Sequence, residues 1–231
     1  MLDNNNHLVE VLCGMRFDST KNEWDSTFFG KFHDRISQYG FVEKEERKEF
    51  RVEFNLNKKV PIGNPGVEET GIKMVFKNPI QKSAITLSEG YISFHKLAPY
   101  ENWDDLINTI AKPILKEYKE LGIGNGIVEV QCLYLNKFEV SLENPASNYF
   151  HFLPEIINSS QKNILFQSKY DLGNNSIINL SLRGNFEQSK GDLFFECSCS
   201  TTPLADEDVF DLASISHTET NKVFKSVYKN K

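Results

Sequence analysis

The sequence predicts an α+β fold of two similar halves, in which a curved antiparallel sheet is covered by helices on one side. Three observations carry this. Segments rich in branched residues or with apolar residues at every second position recur along the chain. Long stretches with apolar residues three and four apart lie between them. The pentapeptide Val9-Glu10-Val11-Leu12-Cys13 returns as Val128-Glu129-Val130-Gln131-Cys132, an offset of 128 − 9 = 119 positions in a chain of 231. Period two marks a half-buried strand and a period near 3.6 an amphipathic helix.

Taken in order, His7 to Phe17 reads as the first strand, with Leu8, Val9, Val11, Leu12, Met15 and Phe17 apolar. Asp18, Ser19 and Thr20 supply turn and cap chemistry. Trp24, Phe28, Phe32, Ile36 and Tyr39 then form a helical stripe, and Gly40 stands where a C-cap belongs. Phe50, Val52, Phe54 and Leu56 alternate with polar neighbours, as do Ile72, Met74 and Phe76, so antiparallel strands follow. Pro61, Gly63, Asn64, Pro65 and Gly66 make a loop between them. Ala84–Leu87 and Tyr91–Leu97 flank Ser88-Glu89-Gly90 as a hairpin.

A second helix is expected from about Tyr100 to Leu121, with Trp103, Leu106, Ile107, Ile110, Ile114, Leu115 and Tyr118 buried and a kink at Pro113. Gly122-Ile123-Gly124-Asn125-Gly126 punctuates the chain, and the strand that restarts at Ile127 divides it into residues 1–122 and 123–231. The second half is expected to contain a short helix near Ser147–Asn158 and strands around Ile164–Tyr170, Ser176–Arg183 and Asp192–Thr201. A helix from about Asp206 to Tyr228 closes it, with Phe210, Ala213, His217, Thr220, Phe224 and Val227 on its inner stripe. Acidic residues at its start and lysines near its end suit the helix dipole. Each half thus reads strand, helix, antiparallel strands, long helix. That plan is a helix-grip or TATA-binding-protein-like arrangement, fused into one pseudo-duplicated domain.

Composition bounds the function. A net charge of −6, from 26 Lys+Arg against 32 Asp+Glu, opposes attraction to phosphate backbones and anionic lipid, so nucleic acid is disfavoured. The Lys44–Lys59 region interleaves lysines and arginines with Glu43, Glu45, Glu46, Glu49 and Glu53, the pattern of a solvated mixed-charge face. The first residues are polar, unlike a secretory signal, and no apolar run approaches the span of a bilayer. A cytoplasmic protein is expected, with Cys13, Cys132, Cys197 and Cys199 as free thiols.

Few residues of the chain fall into patterns that carry chemistry. No phosphate-binding loop is present, and the glycines at 122, 124 and 126 follow a helix and precede a strand, the reverse of a dinucleotide fingerprint. Cys197 and Cys199 share a strand face but read as small core residues, so no metal or cofactor is expected. Glu117 and Lys119 read as surface charge, and His33 as a surface residue. His95, in a strand, is read as having no nucleophile or carboxylate near it in sequence. His217 interrupts an apolar helical stripe, while Glu10 and Glu129 recur against an apolar face in both halves. With Arg16 these are the candidates for an interface or pocket.

Leu8-Val9-Glu10-Val11-x-Cys13-x-x-Arg16-Phe17, the Trp–Phe helix, Tyr100-x-x-Trp103, Leu133-Tyr134-Leu135-Asn136 and a terminal helix with His217 and Phe224 resemble a sporadically distributed family of prokaryotic proteins of about this length. The chain departs from the family pattern before Tyr134, where the family has a basic residue and this chain has Leu133. The resemblance implies a gene of mobile or defence clusters and a product that binds another gene product, as an accessory subunit of an antiviral defence or toxin–antitoxin-like system. It assigns no catalytic residue. A non-catalytic interaction protein with a protein partner is therefore the leading expectation, with homo-oligomers open. The rivals are a small-molecule-binding or hydrolytic protein with a pocket at His217, and a nucleic-acid-binding module.

Overall fold

The computed structural model describes residues 7–53, 66–141, 146–153, 163–187, 190–204 and 208–229. The fold is mixed α+β: a curved antiparallel sheet flanked on one face by helices. Strand β1 (Leu8–Phe17) is followed by helix α1 (Thr27–Ile36), then by a meander of β2 (Glu43–Glu53), β3 (Gly66–Asn78), β4 (Ser83–Ser88) and β5 (Tyr91–Leu97). A helix over residues 103–120, here α2, ends this stretch. Strand β6 (Ile127–Val140) opens a second meander of β7 (Asn163–Gly173), β8 (Ser176–Glu187) and β9 (Lys190–Thr201), and α3 (Val209–Val227) completes the chain.

The nine described strands join one sheet in the order β2-β3-β4-β5-β1-β6-β9-β8-β7. The winding is alike on both sides of the centre: the last strand of each meander lies beside the first strand of its own half, and β1 and β6 pair antiparallel in the middle. Their register respects the sequence repeat. Cys13 faces Cys132, Val11 faces Tyr134 and Met15 faces Val130. Because 11 + 119 = 130 and 134 − 119 = 15, the 119-residue offset exchanges the last two pairs and maps the first onto itself.

The elements form for local reasons. In α1 the buried Phe29, Phe32 and Ile36 fall three and four apart, and the chain leaves through a 3-10 turn (Ser37–Tyr39) at Gly40, whose φ of 88° is open to glycine at no steric cost. Trp24 precedes the helix and stacks on Phe28, with ring centroids 5.7 Å apart. At Pro113 the expected disturbance takes the form of a π-helical segment, Leu106–Ala111, immediately upstream, which accommodates a residue with no N–H and a ring that crowds the preceding turn. Helix α3 begins at Asp208, whose carboxylate accepts from the amides of Phe210 and Asp211.

Several expectations shift. The buried residues of α3 are Val209, Leu212, Ala213, Ser216, Thr220 and Phe224, so the inner stripe is rotated and His217 lies on its flank. Near Ser147–Asn158 the described residues show only the 3-10 turn Ala146–Asn148 and a bridge from Phe150 to Tyr228; residues 154–162 lie outside the described residues, as do Phe54, Leu56, Asp206 and Glu207. Glu117 is no simple surface charge: it accepts from Tyr39 (3.0 Å) and Arg35 (3.1 Å) and so ties α1 to α2. His33 is half-buried and stacks on Phe76 at 5.5 Å.

The core lies between the sheet and its helices. One cluster joins β1, β4 and β5 to α1 and α2, and extends to Val130, Cys132 and Tyr134 of β6 and Val209, Leu212 and Ala213 of α3. The other gathers Phe138, Phe150, Ile178, Leu182, Phe195, Cys197 and Phe224. Burying one phenylalanine such as Phe32 or Phe195 contributes about 2–3 kcal/mol. The glycine link is fastened by Asn22, whose Oδ1 accepts from the amides of Gly124 (2.8 Å) and Asn125 (2.9 Å).

Candidate functional site

Alternation along the strands divides the expected residues between two faces. Val11, Cys13, Met15 and Phe17 of β1 face the helices and are buried, which turns Glu10, Leu12, Gly14 and Arg16 to the open face. On β6, Glu129, Gln131, Leu133 and Leu135 take the same side. Cross-strand register then lays out a grid over β5, β1, β6 and β9. Its rows are Leu97, Glu10, Leu135, Glu196; then His95, Leu12, Leu133, Ser198; then Ser93, Gly14, Gln131, Ser200; then Tyr91, Arg16, Glu129. Thus Glu10, Arg16 and Glu129 share one surface, and Arg16 stands directly opposite Glu129. His217 is on the other side of the sheet.

The open face holds a constellation that reading along the chain missed. His95 Nδ1 lies 2.5 Å from Glu10 Oε1, so the ring donates there to the carboxylate. Its Nε2 lies 2.8 Å from Ser93 Oγ and 3.2 Å from Thr86 Oγ1, and in the neutral ring accepts from these hydroxyls. Serine, histidine and carboxylate in this order form the hydrogen-bond chain of an activated nucleophile. Ser93 precedes His95 by two positions and shares its face, and that spacing was the legible signal; Glu10 is 85 positions away and reaches His95 only through the β1–β5 pairing.

Two features limit what this chain of bonds can do. Ser93 is 1% exposed, whereas a nucleophile must meet its substrate. Its strand is also paired on both sides, with Gly14 and Thr86 opposite Ser93, so the neighbouring amides serve the ladder and leave no pair free to receive an oxyanion. Tyr91 adds cover: a Cβ at Gly14 would come within 2.7 Å of its hydroxyl, so the bare glycine is what allows the ring to lie across β1. Arg16 sits over that ring, 5.4 Å from its centroid. Burial raises the Tyr91 phenol above its ordinary range.

Glu129 repeats the Glu10 contact in its own half. Ser200 donates to Glu129 Oε1 at 3.1 Å. Since Cys13 faces Phe94 and Cys132 faces Cys199, His95 and Ser200 occupy matching places, each one residue past the partner of the cysteine. The same diagonal across two strands therefore links a glutamate to a polar side chain in both halves.

On the helical face His217 is held by three contacts. Its ring stacks on Trp103, with centroids 4.4 Å apart and planes 10° from parallel. Asn221 Nδ2 donates to Nε2 at 3.1 Å, and Nδ1, which then carries the ring proton, donates to Tyr134 Oη at 2.5 Å. Burial pushes the imidazole down to about 4, which makes it neutral at pH 7, and holds the Tyr134 phenol well above its usual range. This histidine joins α2, β6 and α3 and has its hydrogen-bonding capacity satisfied internally.

The cysteines gather on the same face. Cys13, Cys132 and Cys199 stand side by side across β1, β6 and β9, with Cys197 two residues along, and all are free and buried. Burial raises all four thiols, Cys13 and Cys197 to about 12, so none is a thiolate at neutral pH. Among the described residues no group of three or more His, Cys, Asp or Glu side chains is arranged to hold a metal ion, and no helix is long and apolar enough to cross a membrane. No family model matches the chain, and no curated protein matches it.

Proposed function

We propose that this chain is a non-catalytic protein-interaction component that receives a partner protein on the open face of its sheet. The observation that carries the reading is the position of Leu12, directly opposite Leu133, with Leu97 and Leu135 in the adjoining row, on the face opposite the described helices. The water-exposed side of an antiparallel sheet is ordinarily polar, and clustered leucines at its centre favour a partner. Glu10 stands among the leucines, between Leu97 and Leu135, and Arg16 and Glu129 lie two rows beyond Leu12 and Leu133; these charges supply the polar groups that fix orientation in such contacts. The resemblance to a sporadically distributed family supports an accessory role beside a product of a neighbouring gene.

The test is affinity purification of the tagged chain expressed with its neighbouring genes. A stoichiometric partner is expected, and Leu133→Glu should lose it without altering the circular dichroism spectrum or the thermal midpoint. A chain that purifies alone, or a partner that Leu133→Glu retains, overturns the reading. A second, hydrolytic reading of the Glu10–His95–Ser93 chain requires a reagent to reach the buried Ser93, and covalent labelling of Ser93 in the native protein by a fluorophosphonate would establish that one instead.

A further inference from the structure

The two edges of the sheet differ in kind. At one end β2 carries Glu43-Lys44-Glu45-Glu46-Arg47-Lys48-Glu49, a run of charge that discourages edge-to-edge pairing. Glu45 is paired there with Arg47 (2.7 Å) and Lys77 (2.5 Å). At the other end β7 is an eleven-residue strand whose described neighbour in the sheet is β8 alone. It exposes apolar side chains: Leu165 is 75% exposed, Tyr170 49% and Leu172 40%. Its two central charges, Lys169 and Asp171, are of opposite sign, lie two positions apart and therefore share one face.

That spacing makes the strand self-complementary. When two copies of β7 pair antiparallel about a twofold axis perpendicular to the sheet, residues i and j face each other with i + j constant, and like faces stay together. With Tyr170 opposite its copy, the constant is 340. Lys169 then stands opposite the second copy's Asp171, and Asp171 opposite the second copy's Lys169. The neighbouring register, with Lys169 opposite its copy, would place like charges face to face. Cross-strand opposite charges and aromatic pairs each stabilise such a ladder by roughly 0.2–1 kcal/mol, and directly opposed like charges destabilise it.

We propose that a second copy of this chain pairs through β7, with Tyr170 on the axis and Lys169 and Asp171 forming two reciprocal ion pairs, so that the sheets of two molecules run on as one. This contact uses the edge of the sheet and is independent of the open face. Seven residues per strand, 167–173, make a small interface of the kind that dissociates in about the micromolar range.

The experiment is sedimentation velocity at concentrations up to about 100 µM, where the proposed affinity gives mostly dimer. Lys169→Asp alone and Asp171→Lys alone place like charges opposite each other and should weaken self-association at least about tenfold. An equimolar mixture of the two variants restores both ion pairs across the axis and should return to dimer, as should the double variant Lys169→Asp/Asp171→Lys. Recovery in the mixture also shows that each single variant is folded. A wild-type chain that stays monomeric throughout, or single variants that dimerise as well as wild type, overturns the proposal. A mixture that remains monomeric while both variants keep wild-type circular dichroism overturns it too.

Discussion

Cys13 and Cys132 face each other across the seam of β1 and β6, and they are 132 − 13 = 119 positions apart in the chain. That distance is also the offset of the repeated pentapeptide, so the pair lies at the point where the pattern of the first half meets that of the second. The thiols pack there with Cys199 beyond them, beneath the helices and away from water.

Burial of these thiols makes them chemically silent. Native protein should show no reaction with a soluble aromatic disulfide over minutes at pH 8, and all four cysteines should react once guanidinium unfolds the chain. Rapid reaction of Cys13 or Cys132 in the native state would contradict the packing. Cys13→Ser places a hydroxyl in this apolar row and should lower stability by about 1–3 kcal/mol in urea titrations.

His217 sets a pH dependence on folding. Its folded pKa is depressed to about 4 by burial, against 6.5 for the free side chain, so between these values the unfolded chain binds more protons than the folded one. Stability from this group is complete above pH 6.5 and is lost as pH falls towards 4. Partial exposure of the ring discounts the full shift, and about 2 kcal/mol is the expected loss. Urea midpoints at pH 7 and pH 4.5 measure it. His217→Phe keeps the stack on Trp103 and should flatten this part of the profile; an unchanged profile would remove His217 as its source.

Glu10 and His95 should behave as one unit. His95→Ala leaves a part-buried carboxylate and two hydroxyls without their partner and should cost about 1–3 kcal/mol. Glu10→Ala should cost less when His95 is already absent, and a double-mutant cycle is expected to give a coupling of about 1 kcal/mol. Additive effects would show that the 2.5 Å contact contributes nothing to stability in solution.

Much of the architecture was legible because it depends on neighbours in the chain. Alternation gave β4 and β5 within a residue or two; the three-and-four spacing gave α1 and α2; Gly40 marked a helix end; and the glycines at 122–126 marked a link. The V-E-V-x-C repeat gave the two strands that pair at the centre. What spacing could not supply was which residues of α3 face inward: His217 sits on the flank, because Leu212 and Ser216 share the burial with Ala213 and Thr220.

The candidate site belongs to the tertiary structure. Alternation alone puts Glu10 and Glu129 on a strand face, but whether that face is covered, and what stands diagonally across the next strand, follows from strand order and register. These pairings join residues 85 and 71 positions apart, Glu10 to His95 and Glu129 to Ser200, through hydrogen bonds of the ladder that leave no local mark in the chain. The sequence by itself determined most of the strands, the three long helices, the repeat and the buried character of the cysteines, because each depends on the period and chemistry of adjacent residues. Only the folded sheet decided that Glu10, His95 and Ser93 meet, that Leu12 faces Leu133 on the side away from the described helices, and that β7 lies at the end of the described strand order, because those relationships exist only once distant strands are in register.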